Sequence, residues 1–367
     1  MDTDVEMKRK RIRHQRFFQP PEKDEGAYLA VMSPIDDSGI LPFHLPQPDS
    51  LEEKWLSTEY RLKCAEAAAQ NIYWGQDAIQ SEFVNLGPGV HAAMVGGSYK
   101  LEPESIWFDT VPILIDWDNP PGFATDKSHI LYETVENHTR ALCTASAGRY
   151  AVSVTDIGGQ LDVLYSLRGE DLLIDLIDYP DEVIAAKARL DRELVDYFNT
   201  LTDIIRPTGC GYTTWLPLVN SIPYFVIQCD VSVMISPAMF ERFAMPSLDL
   251  VSAEIGCAIY HMDGPEQIPL LDMLLSLKHV HAIQWVPLPK NPGTGPYQDF
   301  ADEMSLGIYK RCFKAGKKVV LYNVPPSQIG DIFDAVGCDG IYILTRCQSR
   351  KEADELITYA KKEWITL

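Results

Sequence analysis

The chain has 367 residues, 46% of them apolar, with 52 acidic against 32 basic side chains and a formal charge of -20. That composition describes a soluble globular protein with a large core and argues against a nucleic-acid or anionic-membrane partner, since both need clustered Lys and Arg. No run approaches the roughly 20 consecutive apolar residues of a membrane span, and the basic run Lys8 to Arg13 is followed by polar residues rather than an apolar signal segment, which points to the cytoplasm.

Residues 1 to about 50 carry Pro20, Pro21, Pro34, Pro42, Pro46 and Pro48, which interrupt any long helix, so this stretch is expected to be an irregular arm with a solvated charge run. A helix is predicted over 51–71, capped by Ser50 with Glu53 completing a capping box. Asn85-Leu86-Gly87-Pro88-Gly89 is glycine-rich but lacks the Gly-Lys-Ser/Thr of a phosphate loop and is expected to be a turn.

From about residue 145 short apolar runs alternate with helical stretches. Strands are predicted at 150–154, 224–227, 258–260, 282–285, 319–322 and 341–344. Helices are predicted to start at Pro180 and Pro237, and near 266–278, 299–315, 327–336 and 349–364. This alternation implies parallel strands with crossover helices. A barrel and an open sheet both satisfy it, but almost every run ends in groups able to do chemistry, which favours a (β/α)8 TIM barrel with an N-terminal irregular or helical extension. The expected organisation is an arm and helix over 1–80 packed on a barrel over 81–367.

The strongest local signal is His261-Met262-Asp263-Gly264. Residues two apart on a strand point to one side, so the imidazole and carboxylate could hold a metal or share a proton. A bland alternative makes His261 a core residue and Asp263 a helix cap. In a barrel, Cys347 at the end of the last strand would enter the same mouth. His261, Asp263 and Cys347 would then form a three-ligand site with an open fourth position, and the sulfur favours zinc. Asp230 could be a fourth ligand, a general acid or base, or a loop carboxylate. Asp156 and Arg168 could bind substrate or form an internal ion pair. Trp107, Tyr212, Trp215, Tyr224, Tyr260 and Trp285, with Gln228 and Gln284, would line a mouth suited to a ring or sugar face, and core packing is the alternative for each aromatic. The eight cysteines are scattered singly and are expected to be free thiols.

The order of these motifs resembles the uroporphyrinogen decarboxylase-like superfamily of TIM barrels. The likeness is carried by Asn85 to Gly89, Asp156-Ile157-Gly158-Gly159, Asp230 to Pro237, His261 to Gly264, Ile283 to Pro287 and Cys347. It implies either a decarboxylase or a zinc-dependent methyltransferase that exchanges methyl groups with a corrinoid on a partner protein, and pairing into a homodimer through one barrel face. The methyltransferase pattern is H-x-C-G with a late Cys. His261 and Cys347 match it, while Asp263 stands where that pattern has cysteine and would make the zinc a harder centre. The arginine segment of the decarboxylase has no convincing counterpart, since Arg9, Arg11, Arg13 and Arg16 lie in the charged arm. The leading expectation is methyl transfer through zinc on His261, Asp263 and Cys347, with Asp230 and His261 as the catalytic pair and Asp230 orienting substrate or managing a proton. The alternatives are lyase, hydrolase or decarboxylase chemistry on a small sugar or aromatic acid without corrinoid, and a non-catalytic barrel that binds a metabolite.

Overall fold

Strands that are apolar on both faces belong in a parallel sheet covered by other structure on each side, and the computed structural model contains such a sheet. It describes residues 3–21, 25–35, 46–108, 111–287 and 299–365; of the residues discussed above, Pro42 lies outside these. The strands are β1 (Tyr28–Pro34), β2 (Ile72–Gln76), β3 (Ser81–Glu82), β4 (Lys100–Leu101), β5 (Ile106–Trp107), β6 (Ala151–Val152), β7 (Phe225–Ile227), β8 (Ala258–Asp263), β9 (Val280–Val286), β10 (Lys318–Tyr322) and β11 (Ile341–Arg346). Seven of them form a central sheet in the order β2-β1-β11-β10-β9-β8-β7, parallel throughout except for β1 with β2. β3 pairs with β6 in parallel, β4 with β5 antiparallel, and Ser153 bridges to Thr213. All six expected strand runs are present, five of them in the central sheet. The fold is therefore mixed α/β with a mostly parallel sheet. Among the described residues its hydrogen-bonded ladder ends at β2 and β7 and does not close into a ring.

Side chains alternate between the two faces of each strand. One set (Leu29, Val31, Ile283, Trp285, Val319, Leu321, Ile341, Ile343) packs in a common core with helix residues such as Ile308, Ile332 and Ile357. The other set (Tyr28, Ala30, Met32, Val226, Ile259, Ala282, Val320, Tyr342, Leu344) packs on itself, and both edges of the sheet contribute, Ile72 of β2 at one end and Val226 of β7 at the other. We call these the helix-facing and inner faces. No helix among the described residues is long and apolar enough to cross a membrane.

The N-terminal region departs from expectation. Thr3–Phe17 is a helix, α1, and Tyr28–Pro34 is a strand of the central sheet, so these two segments are not part of an irregular arm. The charge run is only partly solvated, because Lys8 is exposed while Lys10, Arg13 and His14 are buried. Asp77 makes this possible: its carboxylate accepts from Arg13 Nε at 2.7 Å and from the Leu29 amide at 2.9 Å. Lys10 Nζ donates to the carbonyls of Trp74 and Ala78, and His14 accepts from the Val219 amide and donates to the Asp77 carbonyl. Phe17 and Phe18 then close the inner core against Tyr28, Tyr224, His281 and Tyr342. The helix predicted over 51–71 is split into Leu51–Leu56 and Thr58–Asn71, because Ser57 adopts an extended conformation and its hydroxyl caps the second piece by accepting from the Tyr60 amide.

Candidate active site

Polar residues that continue the inner face beyond its apolar layer gather at the carboxyl ends of the strands: Gln228 after β7, His261 and Asp263 on β8, Gln284 on β9, Tyr322 on β10 and Arg346 on β11. The register pairs His261 with Gln284 and Asp263 with Val286, so these side chains share a face. His261 Nδ1 lies 2.8 Å from Gln284 Oε1, which places the proton on Nδ1 and leaves Nε2 as the basic nitrogen. The edge of Trp215 packs on the imidazole, with centroids 6.0 Å apart.

A second strand end brings carboxylates beside Asp230. Asp156 Oδ1 accepts from the Gly158 amide at 2.9 Å, a local turn that leads into the Gln160–Arg168 helix. Asp162, in the first turn of that helix, accepts from the Val231 amide at 2.7 Å and thereby joins this loop to the Asp230–Met234 turn. Gly159 sits at the junction. A Cβ there would collide with the Gln228 carbonyl and the Asp162 carboxylate, so only glycine allows the two loops to approach so closely.

The consequence is electrostatic. Burial pushes the Asp162 carboxyl up to about 7, reinforced by the charge of Asp230 and opposed by backbone amides. Asp156 is raised well above the ordinary carboxylate range, first by burial and then by Asp230 and Asp162. Asp230 is also raised, by burial and by Asp263, while the nearby His261 pulls it back. Asp230 and Asp263 nonetheless reach solvent. Among the described residues none of these four aspartates forms an ion pair with Lys, Arg or His. The arrangement sets His261 near Asp230, itself one of a group of carboxyls whose proton affinity is raised, a combination suited to acid-base chemistry.

Several expected site residues lie elsewhere. Cys347 follows β11 with the parity of Ile341 and Ile343, so its thiol packs in the helix-facing core, fully buried, and burial together with Glu352 pushes it up to about 12. It is on the opposite face of the sheet from His261 and Asp263. Those three residues do not form a common ligand set, and among the described residues no group of three His, Cys, Asp or Glu side chains is placed to hold a metal ion. Trp285 shares the parity of Cys347. It is 1% exposed and its indole donates to Ser305 Oγ at 2.8 Å, so it packs under a helix rather than lining the mouth. Tyr224 is in the inner core against Phe18, with its hydroxyl donating to the Leu218 carbonyl, and Tyr212 pairs with Asn220 beside Arg206 and Cys210. Arg168 forms an internal ion pair, though with Asp175 and not with Asp156, holding Asp175 through Nε at 2.6 Å and Nη2 at 3.2 Å. Asp156, Gln228, Asp230, His261, Asp263 and Gln284 remain grouped at the strand ends, and all eight cysteines are free thiols.

Two residues of the site were not singled out from the sequence. Asp162 lies six positions after Asp156, where the start of a helix turns its carboxylate back toward the strand end. Arg346 directly precedes Cys347 and shares the parity of Tyr342 and Leu344. Compared with known proteins, the chain matches no family model and no curated relative.

Proposed function

We propose that the chain is a β/α-barrel enzyme of the uroporphyrinogen decarboxylase-like kind that moves protons on a small organic molecule, as a lyase or decarboxylase does, without a corrinoid. The barrel reading is supported by the inner core, to which both edges of the sheet contribute. The chemical reading rests on one observation: His261, fixed through Nδ1 by Gln284, stands beside Asp230, whose carboxyl is held above its ordinary range. His261 Nε2 takes a proton from the substrate. Asp230 returns one, and Asp162 and Asp156 keep a proton within the same carboxyl set. Trp215 offers a wall for the apolar part of the ligand. Zinc-dependent methyl transfer is not carried forward, because its sulfur ligand would be Cys347, on the far side of the sheet.

The test is solvent deuterium incorporation into a panel of small hydroxy, keto and aromatic acids, followed by proton NMR. The wild type should exchange at least one of them, and His261→Ala should lower that rate by about 10²- to 10⁴-fold, the usual contribution of a positioned acid or base. Exchange that is unchanged in His261→Ala would remove the histidine from the chemistry and the proposal with it.

A further inference from the structure

The position of Arg346 is not explained by the acid-base chemistry. It is the last residue of β11 and continues the inner face of Tyr342 and Leu344, so it stands on the same face and at the same end of the sheet as His261 and Asp263. Three strand spacings separate β11 from β8, roughly 14 Å along the sheet. Its guanidinium is half-buried, and its partners are neutral: Nε donates to Asn323 Oδ1 at 3.0 Å and Nη2 to Tyr322 Oη at 3.3 Å. Among the described residues no carboxylate pairs with it. Six other arginines also lack an acid partner among the described residues, but Arg16, Arg149, Arg189, Arg192 and Arg242 are exposed, and Arg11 lies on α1, so Arg346 is set apart by its place at a strand end.

The orienting residue is itself held in an uncommon conformation. Asn323 has φ +61°, a left-handed backbone that few non-glycine residues adopt, and in that conformation its amide oxygen meets Arg346 Nε. Two neutral acceptors fix the plane of the guanidinium without neutralising it, and a planar fork with an unspent charge matches the two oxygens of a carboxylate. The acidic groups at this end of the sheet, Asp230 and Asp263, would repel a doubly charged phosphate more strongly than a singly charged carboxylate.

We infer that Arg346, aimed by Asn323 and Tyr322, binds a non-reacting carboxylate of the substrate and holds the rest of the molecule across the strand ends toward His261. This deepens the proposed function and rests on it for the direction in which the substrate lies. Arg346 would thus be a substrate-binding residue whose loss raises KM more than it lowers kcat.

The experiment is titration of the full chain with benzoate, followed by tryptophan fluorescence and saturation-transfer NMR, with inorganic phosphate and benzamide as parallel probes. Wild type should bind benzoate in preference to both. Arg346→Gln should weaken benzoate at least tenfold, Arg346→Lys should retain part of the affinity as a point charge without the fork, and His261→Ala should still bind. Thermal melting of each variant separates lost binding from lost folding, and the folded Arg346→Lys keeps the test decisive if Arg346→Gln unfolds. Equal benzoate affinity in wild type and the arginine variants, no benzoate binding by wild type, or preference for phosphate would each overturn the carboxylate assignment. Loss of benzoate binding in Arg346→Gln alongside unaltered solvent exchange in His261→Ala would keep the anion site while discarding the acid-base reading.

Discussion

The two ends of the sheet treat charge in opposite ways. At the end where the strands begin, Arg13 meets Asp77, Lys318 meets Glu25 at 3.0 Å, and His14 satisfies both ring nitrogens on backbone atoms. At the end where they finish, Asp156, Asp162, Asp230 and Asp263 stand together without a cationic partner among the described residues, and Arg346 stands without an anionic one. Buried charge that is fully paired serves the architecture, while ionisable groups left without a partner of opposite charge at the strand ends are available to a ligand. The same residue types therefore carry different meanings at the two ends.

The sharpest way to break this contrast is Asp77→Ala, which strands the buried Arg13 guanidinium. It should destabilise the protein by about 3–5 kcal/mol, read by urea denaturation. A cost below about 1 kcal/mol would mean that the paired end is not what secures α1. Asp162→Asn probes the other end. Because the folded carboxyl titrates near 7 and an unfolded aspartate near 4, the wild type loses stability as pH rises through that window, while the variant does not. The stability of Asp162→Asn relative to wild type should therefore climb between about pH 4 and 7, by up to about 1.4 kcal/mol per pH unit, and level off above. A flat difference would mean that Asp162 titrates normally. The smallest effect is expected from Cys347→Ala, which removes a sulfur from the helix-facing core and should cost about 1 kcal/mol of stability while leaving turnover unchanged. A large loss of activity in this variant would return the thiol to the mouth.

Much of the architecture was legible in the sequence. The six strand runs, the Pro180 and Pro237 helix starts and the Ser50 cap follow from patterning and capping chemistry that operate locally. The cluster of Asp230, His261 and Gln284 was also legible, because polar residues at the ends of apolar strands have few other uses. What failed was parity. Strands covered on both faces carry no polar side to mark which residues point where, so Trp285 and Cys347 were assigned to the mouth while Arg346, one residue from Cys347, was passed over. The α1 charge run misled for a different reason: its partners, Asp77 and the carbonyls of Trp74 and Ala78, lie more than sixty positions away and are invisible to local reading.

The pairing of β1 with β11 joins Tyr28 to Tyr342 and Met32 to Arg346, strands separated by almost the whole chain. During synthesis β1 emerges early and has only β2 beside it until the last strand appears. One side of it is thus an open ribbon of unpaired amides and carbonyls throughout translation, the kind of edge that invites pairing with a neighbouring nascent chain. The acid-base groups on β8 can be in place well before that seam is sealed, whereas Arg346 arrives with the strand that seals it. Assembly of the anion-binding side is in this way tied to completion of the sheet, and the slow step in refolding should be the one that docks the two termini of the structure on each other.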